Sequence, residues 1–323
     1  MPFFIRAIDP ERDILGKPVQ ERIREFVHYH KTGDGECNGI LMKAYADKHR
    51  MNTQQRFDFA FFYATVYCIP SAIIMLNEKA EIIKNPSDWA KNNKSRLIFQ
   101  SDRRYARLNG AFERMLKEYA DTIHDADRYI KETVSGDTIS VKKALGITTN
   151  WYFFGRFGAF LFIETLCLLM SYKSANAPIQ WKDGDTATSG LMNLFAFDNS
   201  AEYFDKHDKL PPNFTQEKLD ILYGKLISAI RRAGGETNVT EVETSLCAYR
   251  KFYKGSRYNG YYLDRQLEEL KHYESQRGAG VMVQELYSLR KSLFDHRYLG
   301  EIHGWEGVRK ECKTLYKRTG QMM

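Results

Sequence analysis

Between Asn150 and Gly190 the chain reads NWYFFGRFGAFLFIETLCLLMSYKSANAPIQWKDGDTATSG: an aromatic cluster, a glycine-punctuated apolar run and a polar loop. The run from Tyr152 to Met170 carries two ionisable side chains, Arg156 and Glu164, among residues that belong in a core. An isolated charge buried there is expensive, so the pair must be either mutual partners or members of a site. Gly155, Gly158 and Ala159 let another backbone or a ligand approach this helix closely.

The other long apolar run, Phe57 to Leu76, is interrupted by Asp58 and Pro70. Both runs read as buried helices rather than membrane spans, and no membrane is expected as a partner. Met1 to Arg6 is too short to hold an apolar targeting core, so no secretory signal is expected. The five cysteines, Cys37, Cys68, Cys167, Cys247 and Cys312, are scattered without close pairing, which predicts a reducing, intracellular setting. A net charge of +7 and a pI near 8.9 permit an anionic partner without demanding one. The 20 Tyr and 20 Phe fit either a large helical core or surfaces that stack on bases.

Along the chain, apolar residues at helical spacing predict helices over 20–30, 40–48, 53–77 and 111–134, and no alternating strand pattern or internal repeat appears. The expected fold is mainly α. KTGDGECNG has glycines at 33, 35 and 39, a loop expected to turn a corner rather than cradle a ligand. In SDRRYAR an α-helix would put Arg103 and Arg107 on one face with Arg104 beside them, a phosphate-sized patch. The plain alternative is a solvated face with Asp102 as a cap. SVKKALGIT suggests a short hairpin around Leu145, Gly146 and Ile147 whose amides could meet a phosphate. Pro211 and Pro212 mark the expected boundary between a helical core, 1–200, and a basic, tyrosine-rich region, 201–323, that completes the fold or forms a second lobe. A helix is expected from Thr215 to Ala233, closed by Gly234 and Gly235, and Thr240 with Glu243 forms a capping-box pattern for the next.

Several chemistries are excluded. The chain has no G-x-x-x-x-G-K-[ST], no G-x-G-x-x-G, no G-x-S-x-G and no H-E-x-x-H. His28, His30, Cys37 and His49 match no familiar ligand spacing, so neither metal nor cofactor is expected. Acids and polar groups beside aromatics remain. Glu164, if unpaired, is a candidate general base; paired with Arg156 it is scaffold. In WKDGDTATSG, Asp183, Asp185, Thr186, Thr188 and Ser189 form a loop expected to cap a helix beginning near Ser189, whose free amides would bind anions.

The order CNGI, FAFFYATVYCIPSA, IFQSDRRYARLN, NWYFFGRFGAFLFIET and WKDGDTATSG, over about residues 20 to 200, resembles the phage-encoded amino acid:DNA transferases. These are also described as alpha-glutamyl/putrescinyl thymine pyrophosphorylases and as distant relatives of helix-hairpin-helix DNA glycosylases. The resemblance implies a glycosylase-like helical fold, double-stranded phage DNA as partner, and the cytoplasm of the infected host. It implies that an amino acid or polyamine, such as glycine, glutamate, ornithine or putrescine, displaces pyrophosphate from a pyrophosphorylated hydroxymethyluracil base. For that chemistry Arg103, Arg104 and Arg107 are candidates to bind the leaving anion, and Arg156 to hold an amino-acid carboxylate. Asp185 or Glu164, with Asp102 behind them, would take the amine proton. Trp151, Tyr152, Phe154 and Trp181 would sandwich a base taken out of the duplex stack. Two alternatives stay open: a non-catalytic DNA-binding protein of the same fold, and a glycosylase that cuts the glycosidic bond.

Overall fold

The structure, a computed structural model, describes residues 18–174, 185–195, 210–212, 214–235, 237–253, 261–276 and 278–294. It is mainly α-helical. In chain order the helices are α1 (Val19–Lys31), α2 (Cys37–Lys48), α3 (Thr53–Val66), α4 (Ile69–Asn77), α5 (Lys79–Lys84) and α6 (Pro86–Asn93). There follow α7 (Ala111–Glu118), α8 (Ala126–Thr133), α9 (Val141–Thr148), α10 (Gly155–Met170) and α11 (Asp185–Phe195). The last are α12 (Gln216–Arg232), α13 (Val239–Tyr253), α14 (Tyr261–Glu274) and α15 (Gly280–Leu293). The strands described are β1 (Val134–Ser135), β2 (Thr138–Ile139) and β3 (Lys173–Ser174), in one small sheet where β2 pairs antiparallel with β1 and parallel with β3.

The chain divides into two compact units. The first comprises 1–37, 178–267 and 291–323, and the second 38–177 and 268–290. Neither is continuous in sequence, so no single cut such as 1–200 against 201–323 separates them.

In the second unit α3 is the central helix: every residue from Phe57 to Val66 is buried. A helix apolar all round has no solvent face and must be enclosed. Asn52 starts it with a capping box, its side chain accepting from the Gln55 amide at 2.9 Å while Gln55 returns the bond to the Asn52 amide. The expected single helix over 53–77 is in fact two. Tyr67 adopts a left-handed conformation (φ 56°), and Pro70 sits in the first turn of α4, where its missing N–H costs nothing. Asp58, fully buried on α3, accepts from Tyr119 Oη at 2.6 Å, Gln54 Nε2 at 2.7 Å and Lys79 Nζ at 2.5 Å. The expected helix over 111–134 is also interrupted. Tyr119–Ile123 winds as a π-helix, and Asp125 caps a fresh helix by accepting from the Arg128 amide at 3.0 Å. Rings of α3 interlock with α10 and the residue before it, with Phe57 edge-on to Phe162 at 5.3 Å and Phe61 stacked on Phe154 at 5.1 Å.

In the first unit the core joins α1, α11, α12 and α13 through Phe26, Leu191, Leu226, Ile230 and Leu246. Gly190 makes one close approach possible, since a Cβ there would lie 2.3 Å from the Leu246 carbonyl oxygen. Thr215 caps α12 through the Lys218 amide at 3.1 Å, matching the expected start. The capping box expected at Thr240 is not formed. Thr240 lies inside α13 and is buried, and the Val242 amide bonds to the Asn238 carbonyl.

The buried tyrosines predict how stability falls in alkali. Burial, and then the Glu285 carboxylate, push Tyr45 up to about 12, and burial raises Tyr119, Tyr129 and Tyr273 as well. An unfolded chain releases these protons near pH 10 while the native chain keeps them. This part of the stability is therefore present below pH 10 and is lost as pH rises from about 10 through 12. Tyrosinate absorbance and helical circular dichroism should change together in one step over that interval. Titration of Tyr45, Tyr119, Tyr129 and Tyr273 with helicity intact would contradict the packing described.

Candidate functional site

The arginines of SDRRYAR lie in the second unit on a 3-10 helix, Ser101–Arg107, whose first residue, Ser101 (φ 49°), is left-handed, as is Asn109 (φ 52°) just beyond its end. Three residues per turn, rather than the α-helical spacing expected, align Ser101, Arg104 and Arg107 outward and turn Arg103 and Ala106 inward. Arg103 is therefore 3 % exposed. Its Nη1 donates to the Phe153 carbonyl at 2.8 Å and its Nη2 to the Phe154 carbonyl at 3.2 Å. Its guanidinium lies 5.6 to 5.8 Å from the ring centroids of Phe153, Phe154 and Phe157. A Cβ on Gly158 would fall 2.5 Å from Nη2, so this glycine makes room for the clamp. Geometrically, Arg103 is a positioning residue: it holds the corner that starts α10, where Phe153 sits at φ 63°, unfavourable for a bulky side chain. Glu118 secures the same corner by accepting from the Tyr152 amide at 2.7 Å.

Around this corner cations and rings alternate at the surface. Arg104 covers its neighbour Tyr105 at 5.0 Å, Arg107 lies 5.6 Å from the Phe99 centroid, and Arg114 stands 3.9 Å over Tyr152. Tyr105 is 50 % exposed and Phe157 41 %, and Phe153, Leu108 and Arg156 also face solvent. Trp151 and Phe154 do not join this face, contrary to the role expected for them. Phe154 is buried, and the Trp151 ring meets Phe61, Tyr129, Phe154 and Phe162 at 5.0 to 5.9 Å. Tyr105, Phe153, Phe157 and Arg114 were not singled out from the sequence. Adjacency to Arg104 and Arg156 could have suggested Tyr105 and Phe157, but the outward turn of Phe153 depends on its left-handed backbone.

Arg156 and Glu164 are not a buried pair. Arg156 is exposed in the first turn of α10, while Glu164 is buried eight residues, about 12 Å, further along the axis. The hairpin expected at Leu145, Gly146 and Ile147 is absent as well. These residues lie inside α9, which Ser140 caps through the Lys143 amide at 3.4 Å.

In the first unit α11 begins at Asp185, four residues before the expected start, so Thr186, Thr188 and Ser189 are helical, the last two buried. The backbone of Asp102 and Asp185 is described but their side chains are not, and Asp183 and Trp181 lie outside the described residues. The glycine-rich loop after α1 turns its corner as expected and does a second job. Asp34, fully buried, accepts from the Tyr262 and Leu263 amides at 3.2 Å, capping α14, and from Tyr29 Oη at 3.3 Å. Burial first, and then the Asp34 charge, hold Tyr29 well above its ordinary pKa, so it remains a donor. His30 Nδ1 lies 2.7 Å from Ser245 Oγ, both buried, and a Cβ on Gly35 would sit 3.7 Å from Tyr29 Oη and 3.8 Å from Ser245 Oγ. Tyr29, His30, Asp34 and Ser245 thus form a polar niche within the first unit. The sequence signal for it was the pair of acids, Asp34 and Glu36, set between glycines.

A model of the amino acid:DNA transferase family matches residues 20–258, about three quarters of the chain. The chain belongs to that family. No curated protein and no solved structure matches it. As a member, this transferase acts on DNA with amino acids, and the matched region contains the 3-10 arginines, the α10 corner, α11 and the polar niche. Among the described residues of the transferase, no helix is long and apolar enough to cross a membrane.

Proposed function

We propose that this transferase hypermodifies thymine-type bases in double-stranded phage DNA, displacing pyrophosphate from pyrophosphorylated hydroxymethyluracil with the amine of an amino acid or polyamine. The amine nitrogen forms a bond to the exocyclic methylene carbon, the carbon–oxygen bond to pyrophosphate breaks, and the amine's protons pass to a carboxylate and solvent. The observation that carries this reading is the face of exposed cations and rings around the α10 corner, in a chain whose family acts on DNA. Arg104, Arg107 and Arg156 offer charge to phosphates and to the departing pyrophosphate. Tyr105, Phe153 and Phe157, with Tyr152 beside them, offer rings to a base taken out of the stack. Glu164 in the second unit and Asp185 in the first are each proposed as the acid that receives the amine proton, Asp102 is a third candidate, and Thr186, Thr188 and Ser189 are proposed as substrate-binding groups of α11. A helical fold of the helix-hairpin-helix glycosylase type is part of the same reading.

Nucleoside mass spectrometry after incubation with pyrophosphorylated hydroxymethyluracil DNA and a mixture of amines tests it. The expected product is an amine-substituted thymine nucleoside; an unchanged profile, or an abasic site with free base, would refute the proposal. The double variant R104A/R107A should stay folded and lose on the order of a hundred-fold in transfer rate. Wild-type turnover in that variant would remove both arginines from the site.

A further inference from the structure

We propose that the groove between α1 and α12, within the first unit, is a docking track for the phosphate backbone of duplex DNA. The groove encloses about 1270 Å³ over an apolar floor that includes Ile23, Val27, Phe195, Leu222 and Ala229. Arg24, Lys218, Lys225 and Arg232 also line it, and among the described residues no acidic side chain does. Lys218, Lys225 and Arg232 recur every seven residues, two helical turns, so they form one row on α12. Successive members stand about 10.5 Å apart and the row spans about 21 Å. A duplex advances about 3.4 Å along its axis per base pair, so a row lying along that axis covers about three base pairs per step and about six in all. Leu222 and Ala229 fall between the cations on the same face, where C–H surfaces of deoxyribose would rest.

Three features favour this occupant. Arg24, Lys225 and Arg232 form no ion pair among the described residues, and Lys218 lies over the Phe214 ring at 4.3 Å. The shape is concave and long, which admits a rod-like polyanion and keeps a planar lipid surface off the floor. Its volume exceeds the roughly 300 to 1,000 Å³ of ordinary small-molecule sites. The inference rests on the family's action on DNA and not on pyrophosphate displacement.

Salt-dependent binding of an unmodified duplex to the full chain tests it, because that DNA carries no leaving group and failure here would leave the proposed chemistry untouched. In K218Q/K225Q/R232Q the slope of log affinity against log salt should shrink by roughly 2.7, at about 0.9 per phosphate contact, and affinity near 0.1 M salt should fall on the order of a hundred-fold. The exposed second-unit variant K84Q/K91Q/K131Q, with the same change in net charge, should alter the slope by less than about 1. An unchanged slope in the folded groove variant, an equal drop in the second-unit variant, or loss of polyglutamate binding with duplex binding intact would each overturn the assignment.

Discussion

Replacing Arg103 with alanine is expected to destabilise the second unit by about 4 kcal/mol, because a buried and a part-buried carbonyl lose charged donors and the guanidinium leaves a cavity among three rings. Arg104→Ala, one residue away, should cost less than about 0.5 kcal/mol, since its side chain is exposed. Denaturant midpoints of the two variants measure the contrast directly. In R103A the corner at Phe153 should also relax, and transfer should fall with the loss of order there. A variant as stable as the parent but devoid of transfer would make Arg103 an anion ligand, and the clamp assignment would be wrong.

Asp58→Ala should be as damaging, at about 3 to 5 kcal/mol, since it strips the buried end of an ion pair and removes the acceptor shared by three donors. Lys79 is 24 % exposed and can turn to water, but the Tyr119 hydroxyl cannot, because it is packed against Phe61 at 4.6 Å. Asp58→Asn keeps an acceptor for Tyr119 and loses the charge, so it should fall between parent and alanine variant. Equilibrium unfolding of all three gives the order; an alanine variant within about 1 kcal/mol of the parent would mean the network contributes little.

The elements legible in the sequence are those whose signals are local. The bounds of α12 follow from Thr215 and the Gly234–Gly235 pair, the burial of α3 and α10 from their long, mostly apolar runs, and the family from the order of five motifs. The misreadings arise where a local pattern had two outcomes and tertiary contacts chose between them. SDRRYAR carries charges that suit either an α-helix or a 3-10 turn, and the left-handed residues at its ends select the tighter winding, which sends Arg103 inward. Trp151 and Phe154 look like base-stacking rings, yet Phe61, Tyr129 and Phe162 already occupy their faces. Thr240 has a capping-box partner at the right spacing, but the helix begins one residue earlier and takes it inside. In the sequence Asp34 belongs to a corner; its capping of α14 depends on residues more than 200 positions away, which no local pattern reports.

The most direct test of the proposed chemistry is the ratio of pyrophosphate released to amine incorporated, measured together on pyrophosphorylated hydroxymethyluracil DNA with a labelled amino acid or polyamine. Displacement at the methylene carbon predicts one pyrophosphate for each new carbon–nitrogen bond, with the glycosidic bond intact. Pyrophosphate release without amine incorporation, or incorporation without pyrophosphate, would contradict it.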